Sequence, residues 1–110
     1  GYDMMNQAIE ELGENLPQAF FAANDAIALG ALRSLNEHKI SVPDRVSLIS
    51  FNDTSLAKYA FPSLSAVKVF TEEMGAVAAR MLIDGLNEEI SVPQMATLAT
   101  CLIERDSSIN

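Results

Sequence analysis

The sequence has 110 residues, 49% of them hydrophobic, which is enough for one compact domain with a core and too short for two. Its net charge is -8 and its seven Lys and Arg residues are scattered, so we expect no nucleic-acid-binding surface and no DNA contact by this chain itself. A single cysteine, Cys101, excludes an internal disulfide and a cysteine metal cluster.

No export leader and no membrane-spanning apolar run are found in the sequence. We therefore expect a soluble, cytoplasmic protein with no membrane partner. The chain begins at Gly1 and not at Met, which indicates a fragment of something longer.

The first predicted elements are a helix and a buried strand. Apolar residues at helical spacing predict a helix from Tyr2 to Gly13, where glycine ends it. The apolar run from Ala19 to Ala23 has the length and composition of a buried strand. Asn24 or Asp25 then caps the following helix, because a short polar side chain accepts from the free N–H groups of a first turn.

A second helix is predicted from Ala26 to Lys39. It is apolar over so much of its circumference that we expect it to pack on the sheet and on a second surface. Gly30 would allow a close backbone approach there. His38, the only histidine, is interpreted as a surface residue.

A second strand, Val46 to Phe51, ends in Asn52-Asp53 and repeats the Asn24-Asp25 pattern. If the two strands are parallel neighbours, both pairs lie at the same edge of the sheet, where ligands bind in open α/β folds. An Asn side chain offers one acceptor and two donors, which suits adjacent hydroxyls of a polyol. Phe51 either supports a sugar ring or belongs to the core.

The remaining chain predicts two strands and one helix. The strands are Ser65 to Val69 and Ala96 to Glu104, and the helix, capped by Thr71, runs from Glu72 to about Leu86 with a clear apolar stripe. The segment from Ser55 to Leu64 is interpreted as irregular, with an aromatic pair that is either a lid or a contact surface. Asp106 to Asn110 is interpreted as a polar tail.

No catalytic signature accompanies these elements. A nucleophile with its base, the phosphate loop and the dinucleotide glycine pattern are all missing from the sequence. Asp25 and Asp53 could form a carboxylate pair for acid–base work or for a divalent ion, but capping or orienting a neighbour is the favoured role for each. We therefore predict no enzyme, no cofactor and no metal site.

Five motifs in order resemble the lactose/galactose repressor (LacI/GalR) family of bacterial transcription regulators. They are the segments 20–32, 42–53, 62–67, 73–75 and 102–105, which cover essentially the whole chain. The resemblance implies an α/β fold with an open, mostly parallel sheet flanked by helices, the C-terminal lobe of a type I periplasmic-binding-protein-like domain. Residues 1–110 would then be the C-terminal portion of the effector-binding and dimerisation domain, without the DNA-binding headpiece or the N-terminal lobe.

The resemblance also implies site residues. Asn24 matches a family residue that contacts the effector, and Asn52 stands where many members have a ligand-binding Asp. Val69 occupies the position of a polar contact in some members. Asn52 and Val69 therefore depart from the family pattern, and the effector is left open.

Further implications concern assembly. The positions of Leu29, Leu32, Arg33 and Tyr59 form the homodimer contact in relatives. The helix at 72–87 packs on the other lobe in relatives, so we expect its stripe either to fold back onto this chain's sheet or to be buried in an oligomer, including one formed by domain exchange.

The preferred interpretation is a sugar-responsive transcriptional repressor that contacts operator DNA only through a headpiece outside this chain. A periplasmic sugar-binding transport protein of the same architecture is one alternative. An enzyme that uses Asp25 and Asp53 is the other.

Overall fold

The computed structural model describes residues 1–87 and 92–109. The chain divides into two units. The first comprises Gly1–Lys68 and Cys101–Asn110, and the second comprises Val69–Thr100. The first unit contains the sheet, its helices and the candidate site.

Within the described residues, four strands form one sheet in the order β1-β2-β3-β4. The strands are β1 (Ala19–Phe21), β2 (Ser47–Asn52), β3 (Ser65–Lys68) and β4 (Cys101–Ile103). The first three are parallel, and β4 runs antiparallel to β3. The predicted open, mostly parallel sheet flanked by helices is therefore confirmed.

The first two helices are α1 (Tyr2–Leu12) and α2 (Asp25–Glu37), with a short 3-10 helix at Gly13–Asn15 after α1. The core combines residues of both helices with β2 and β3, among them Met5, Leu35, Leu48 and Ala66. Helix α2 ends near its predicted boundary because Lys39 adopts a left-handed φ of 57°. His38, predicted on the surface, is exposed, with Nδ1 2.8 Å from the Ser34 carbonyl oxygen.

The second surface that we expected α2 to contact is provided in part by α1. A Cβ atom added at Gly30 would lie 2.6 Å from the backbone nitrogen of Tyr2, so the two helices approach as closely as glycine allows. The Ser34 hydroxyl on α2 donates to Asn6 on α1 at 2.6 Å. Part of the wide apolar surface of α2 is thus explained within this chain.

Replacing Gly30 with alanine is expected to lower the free energy of unfolding. Forcing the helices apart costs about 1–3 kcal/mol, which exceeds the gain of about 1 kcal/mol in helix propensity. The matched control is Gly75→Ala in α4, where no described atom beyond the neighbouring helix backbone lies within 4 Å of the added Cβ, and which should be neutral or stabilising. Urea unfolding of both variants tests this, and a Gly30→Ala chain as stable as wild type would contradict the close contact.

Three predictions about local structure are wrong. Residues Ser55–Tyr59 form a short helix, α3, where irregular chain was expected. Strand β1 was predicted to be buried, yet it lies at the edge of the described sheet with Phe21 63% exposed. Strand β4 covers only Cys101–Ile103, because β3 is itself short and offers ladder partners from Ala66 to Lys68 alone.

The predicted polar tail also has a structural role. Ser107 is fully buried, and its hydroxyl donates to the Leu48 carbonyl oxygen and accepts from the Ser65 N–H. The Leu48 N–H in turn donates to the Ser107 carbonyl oxygen at 2.8 Å. The segment therefore joins the beginnings of β2 and β3, which is a contact that its composition does not reveal.

In the second unit, α4 spans Thr71–Asn87. No residue of α4 is buried, and Leu82 and Leu86 of its apolar stripe are 65% and 77% exposed. The expectation that another surface covers this stripe remains a prediction. Among the described helices, none has the length and apolar character needed to cross a membrane.

Candidate functional site

The two Asn-Asp pairs lie at the same edge of the sheet, where the parallel strands have their carboxyl ends. The register pairs Ala19 with Ser47 and Phe21 with Ile49. Continued past the strand ends, this register sets Asn24 level with Asn52. On the other side of β2, Asn52 is paired with Lys68 of β3.

Asn24 combines a structural contact with available donors. Its Oδ1 accepts from the Ile27 N–H at 2.9 Å, so Asn24 is the N-cap of α2. No described residue accepts a hydrogen bond from the Nδ2 group of Asn24. In the described chain, every buried side-chain nitrogen has a hydrogen-bond partner, so a nitrogen without one is accessible to solvent. The two amide donors of the half-buried Asn24 therefore reach solvent at the sheet edge.

Asn52 and Asp53 form the sharp turn that ends β2. Their φ angles are 102° and 62°, a left-handed geometry that Asn and Asp tolerate better than most residues. The described residues form no hydrogen bond with the Asn52 side chain. Its donors and acceptor are therefore available to a ligand at the same edge as Asn24.

Asp25 is a buried acceptor that joins the two turns. Its carboxylate is 2% exposed and accepts from the Ser50 hydroxyl, and from the N–H and the hydroxyl of Thr54 at 2.6 and 2.7 Å. Asp25 begins α2, whereas Ser50 and Thr54 flank the Asn52-Asp53 turn. Asp25 thus holds the turn of β2 against the helix that Asn24 caps.

Asp53 is held by Arg105 at the other side of the same turn. Its Oδ1 lies 2.6 Å from Nη1 of Arg105, and both side chains are largely buried. The same Nη1 donates to the Leu64 carbonyl oxygen at 2.7 Å. Each carboxylate of the two pairs therefore accepts hydrogen bonds that hold backbone in place, which is the orienting role favoured from sequence.

Phe51 and Val69 complete the predicted ligand-binding residues. The half-buried Phe51 ring makes an edge contact with Phe21, with ring centroids 6.3 Å apart and planes at 77°. Val69 is half-buried and begins the second unit. A ligand contact by either residue remains a prediction.

The four residues predicted at the dimer contact differ in exposure. Tyr59 is 78% exposed, and Arg33 is exposed and forms an ion pair with Glu37 at 2.9 Å. Leu29 is half-buried. Leu32 is only 3% exposed and lies in the core of this chain, so it has almost no surface to offer a partner.

The aromatic pair formed by Tyr59, the last residue of α3, and Phe61 is not a lid over the described core. Phe61 is 92% exposed and, with Tyr59, lies on the surface. Of the two roles left open for this pair, the exposure favours a contact surface.

Sequence reasoning missed Ser50, Thr54 and Arg105. Ser50 lies in a strand whose other residues are mostly apolar, and a polar residue in such a strand is a signal of a buried partner. Thr54 and Arg105 carry no such local signal. Arg105 and Asp53 are 52 residues apart, and only the tertiary fold brings them together.

The Asp25 network predicts a pH dependence of stability. Burial acts to raise the pKa of Asp25, but hydrogen bonds from Ser50, from the hydroxyl and N–H of Thr54, and from the N–H of Asp53 outweigh it and hold the pKa below its ordinary value. The charged form is therefore favoured in the folded chain. Its contribution is fully present above the unfolded-state pKa and is lost as pH falls through the folded-state pKa.

Stability of the wild-type chain should consequently fall more steeply below about pH 4 than that of Asp25→Asn, which has no carboxyl at this position to titrate. Urea unfolding between about pH 6 and pH 3 measures both slopes. Parallel pH profiles for the two chains would show that Asp25 is not stabilised in its charged form.

Known proteins share this architecture along nearly the whole chain. Residues 1–108 match the periplasmic binding protein-like domain. The HTH-type transcriptional regulator GalR of Lacticaseibacillus casei is 47% identical over 109 residues, which are 99% of this chain and 33% of that protein. The chain therefore spans about a third of the length of this relative.

Solved structures agree with the sequence match. The transcriptional regulator CelR in its cellobiose complex has a TM-score of 0.84 at 36% identity, covering 97% of this chain and 33% of that one. The lac repressor dimer bound to operator and the anti-inducer ONPF has a TM-score of 0.89 at 25% identity, covering 99% and 37%. The resemblance to the LacI/GalR regulators is confirmed, and the chain belongs to the family of periplasmic binding protein-like domains.

Proposed function

We propose that this chain is the C-terminal portion of the effector-binding and dimerisation domain of a sugar-responsive bacterial transcriptional repressor. The observation that carries the proposal is the placement of Asn24 and Asn52 at one carboxyl edge with side-chain amide donors that no described residue uses. Two amides at one edge can each bond adjacent hydroxyls of a sugar. Such a site discriminates strongly against a ligand that lacks a hydroxyl, because the amide is then left unpaired.

The names of similar proteins support the same function. One of them is a regulator in complex with cellobiose, and another is a repressor dimer bound to its operator and an anti-inducer. These relatives favour a regulator over a transport protein or an enzyme. A regulator of transcription also implies that the protein works in the cytoplasm.

DNA binding is assigned to a part of the protein outside this chain. The net charge of -8 opposes contact with phosphates, and the chain spans about a third of the relatives. Sugar and DNA would each favour a different arrangement of the lobes, so binding of one would weaken binding of the other. The expected output is release of the operator when sugar binds, or the reverse in a co-repressed system.

For assembly, we propose a homodimer or domain-exchanged oligomer. The exposed Tyr59 and Arg33, with the half-buried Leu29, would contribute to the contact between copies. Helix α4 is assigned to the other lobe, for which its exposed apolar stripe supplies a packing surface. Burial of exposed Leu82 and Leu86 in that lobe would contribute favourable free energy.

The proposal is tested with the full-length protein that contains this chain. A thermal-shift screen against sugars should identify a ligand that raises the melting temperature, because a ligand that binds only the folded state stabilises it. The same sugar should change the affinity for operator DNA in a titration. Purines serve as the negative panel, and stabilisation by purines alone would contradict a sugar effector.

A further inference from the structure

A pocket beside the Asn52-Asp53 turn collects an unusual share of the chain's positive charge. It has a volume of about 360 Å³. Its lining is Asp53, Thr54, Ser55, Lys58, Lys68 and Arg105. Three of the seven Lys and Arg residues thus line one pocket of a chain whose net charge is -8. We call it the cationic pocket.

Arg105 is held in place with one edge of its guanidinium group open. Both of its side-chain bonds, to Asp53 and to the Leu64 carbonyl oxygen, use Nη1. No residue in 1–87 or 92–109 accepts a hydrogen bond from Nε or Nη2 of Arg105. In this part of the chain, every buried side-chain nitrogen has a hydrogen-bond partner. Nε and Nη2 therefore reach solvent, and this pair of donors has the fork geometry that binds two oxygens of a carboxylate or phosphate.

The two lysines add charge around this fork. Lys58 lies on α3, with Nζ 5.5 Å from the ring centroid of Tyr59, and Lys68 ends β3 in register with Asn52. Among the described lining residues, Lys58, Lys68 and Arg105 are cationic and Asp53 is anionic. A partly enclosed pocket of one sign concentrates the field on a ligand of the opposite sign.

We propose that the cationic pocket binds the anionic group of the effector, so that the effector is a phosphorylated or carboxylated sugar. This inference rests on the proposed sugar site. The two sites adjoin in the chain, since Asn52 of the sugar site directly precedes Asp53 of the pocket lining. The amides would contact the hydroxyls, and the Arg105 fork with the two lysines would contact the anionic oxygens. The volume lies in the range of about 300–1,000 Å³ that is usual for small-molecule sites.

The experiment compares ligands by calorimetry on the full-length protein at low salt. The probes are inorganic phosphate, and each sugar from the thermal-shift panel together with its 6-phosphate and its uronate. Lys58→Gln and Lys68→Gln should each weaken binding of inorganic phosphate and of the tightest-binding anionic sugar by about threefold to fivefold. Lys39→Gln, which removes a lysine outside the pocket, should leave both affinities unchanged. Added salt should weaken anion binding in wild type more than in the double variant.

The probes separate this inference from the proposed function. If neutral sugars bind as tightly as the anionic ones and the lysine variants bind both normally, the cationic pocket is not an anion site although the sugar site stands. If inorganic phosphate binds through Lys58 and Lys68 while no sugar binds, the pocket is an anion site, but the sugar function and the anionic-sugar effector both fail. An absence of any phosphate or anionic-sugar binding to wild type overturns the inference.

Discussion

Replacing Asn52 with alanine is expected to weaken sugar binding by the full-length protein about tenfold to a hundredfold. The change removes both amide donors and the acceptor and leaves a ligand hydroxyl unpaired, which costs about 1–3 kcal/mol. The side chain of Asn52 has no hydrogen bond within the described chain, so the expected cost in stability is the backbone strain of Ala at the left-handed φ of 102°, about 1–2 kcal/mol. Calorimetric titration with the sugar found in the screen measures the affinity.

Asn24 needs a different substitution, because it also caps α2. Asn24→Asp keeps the oxygen that accepts from the Ile27 N–H and replaces the two amide donors. Asp is as good an N-cap as Asn, so stability should be preserved while sugar affinity falls about tenfold or more. Asn24→Ala loses the cap as well and should cost about 1 kcal/mol of stability. An Asn24→Asp protein with wild-type affinity would show that Asn24 is a cap only.

Asp25→Ala is expected to cause the largest loss of stability, about 2–4 kcal/mol. The buried carboxylate accepts from the Ser50 hydroxyl, twice from Thr54 and from the Asp53 N–H, and without it four donors lose their partner at once. Urea unfolding of the chain measures the loss. Hydrogen exchange should also show faster exchange of the Thr54 amide, which marks the release of the turn.

The matched control for Asp25 is Asp44→Ala, which removes an exposed aspartate and should change stability by less than about 0.5 kcal/mol. In the full-length protein, Asp25→Ala should weaken sugar binding as well, since the Asn52 turn is no longer held. A variant as stable as the control would mean that the Asp25 bonds contribute nothing net.

The parts of the fold that local patterns determine were predictable. Apolar runs that end in polar caps predicted β1, β2 and the start of α2. The common edge was predicted on the condition that the two strands are parallel neighbours, and the structure pairs them in this way. That pairing was sufficient to place Asn24 and Asn52 at one edge. The five-residue helix α3 is too short to show a helical period, so it was interpreted as irregular.

The rest depends on contacts between distant residues. Ser107 lies in a segment of polar composition, so its burial could not be predicted from composition. It is buried because it forms hydrogen bonds with the beginnings of β2 and β3. The Asp25 network was partly visible, since Asp25 was expected to orient a neighbour, but its donors Ser50 and Thr54 lie in another βα unit. The family resemblance placed Leu32 in the dimer contact, but Leu32 is buried in the core of this chain. On a helix with a wide apolar stripe, helical spacing alone does not distinguish a core position from a position that contacts a partner.

The central claim is that one sugar bonds the amides of both Asn24 and Asn52. A crystal structure of the full-length protein with the sugar identified by the thermal-shift screen tests it most directly. Sugar hydroxyls should lie within about 3.2 Å of both side-chain amides. A sugar bound elsewhere, with either amide turned away from it, would contradict the site.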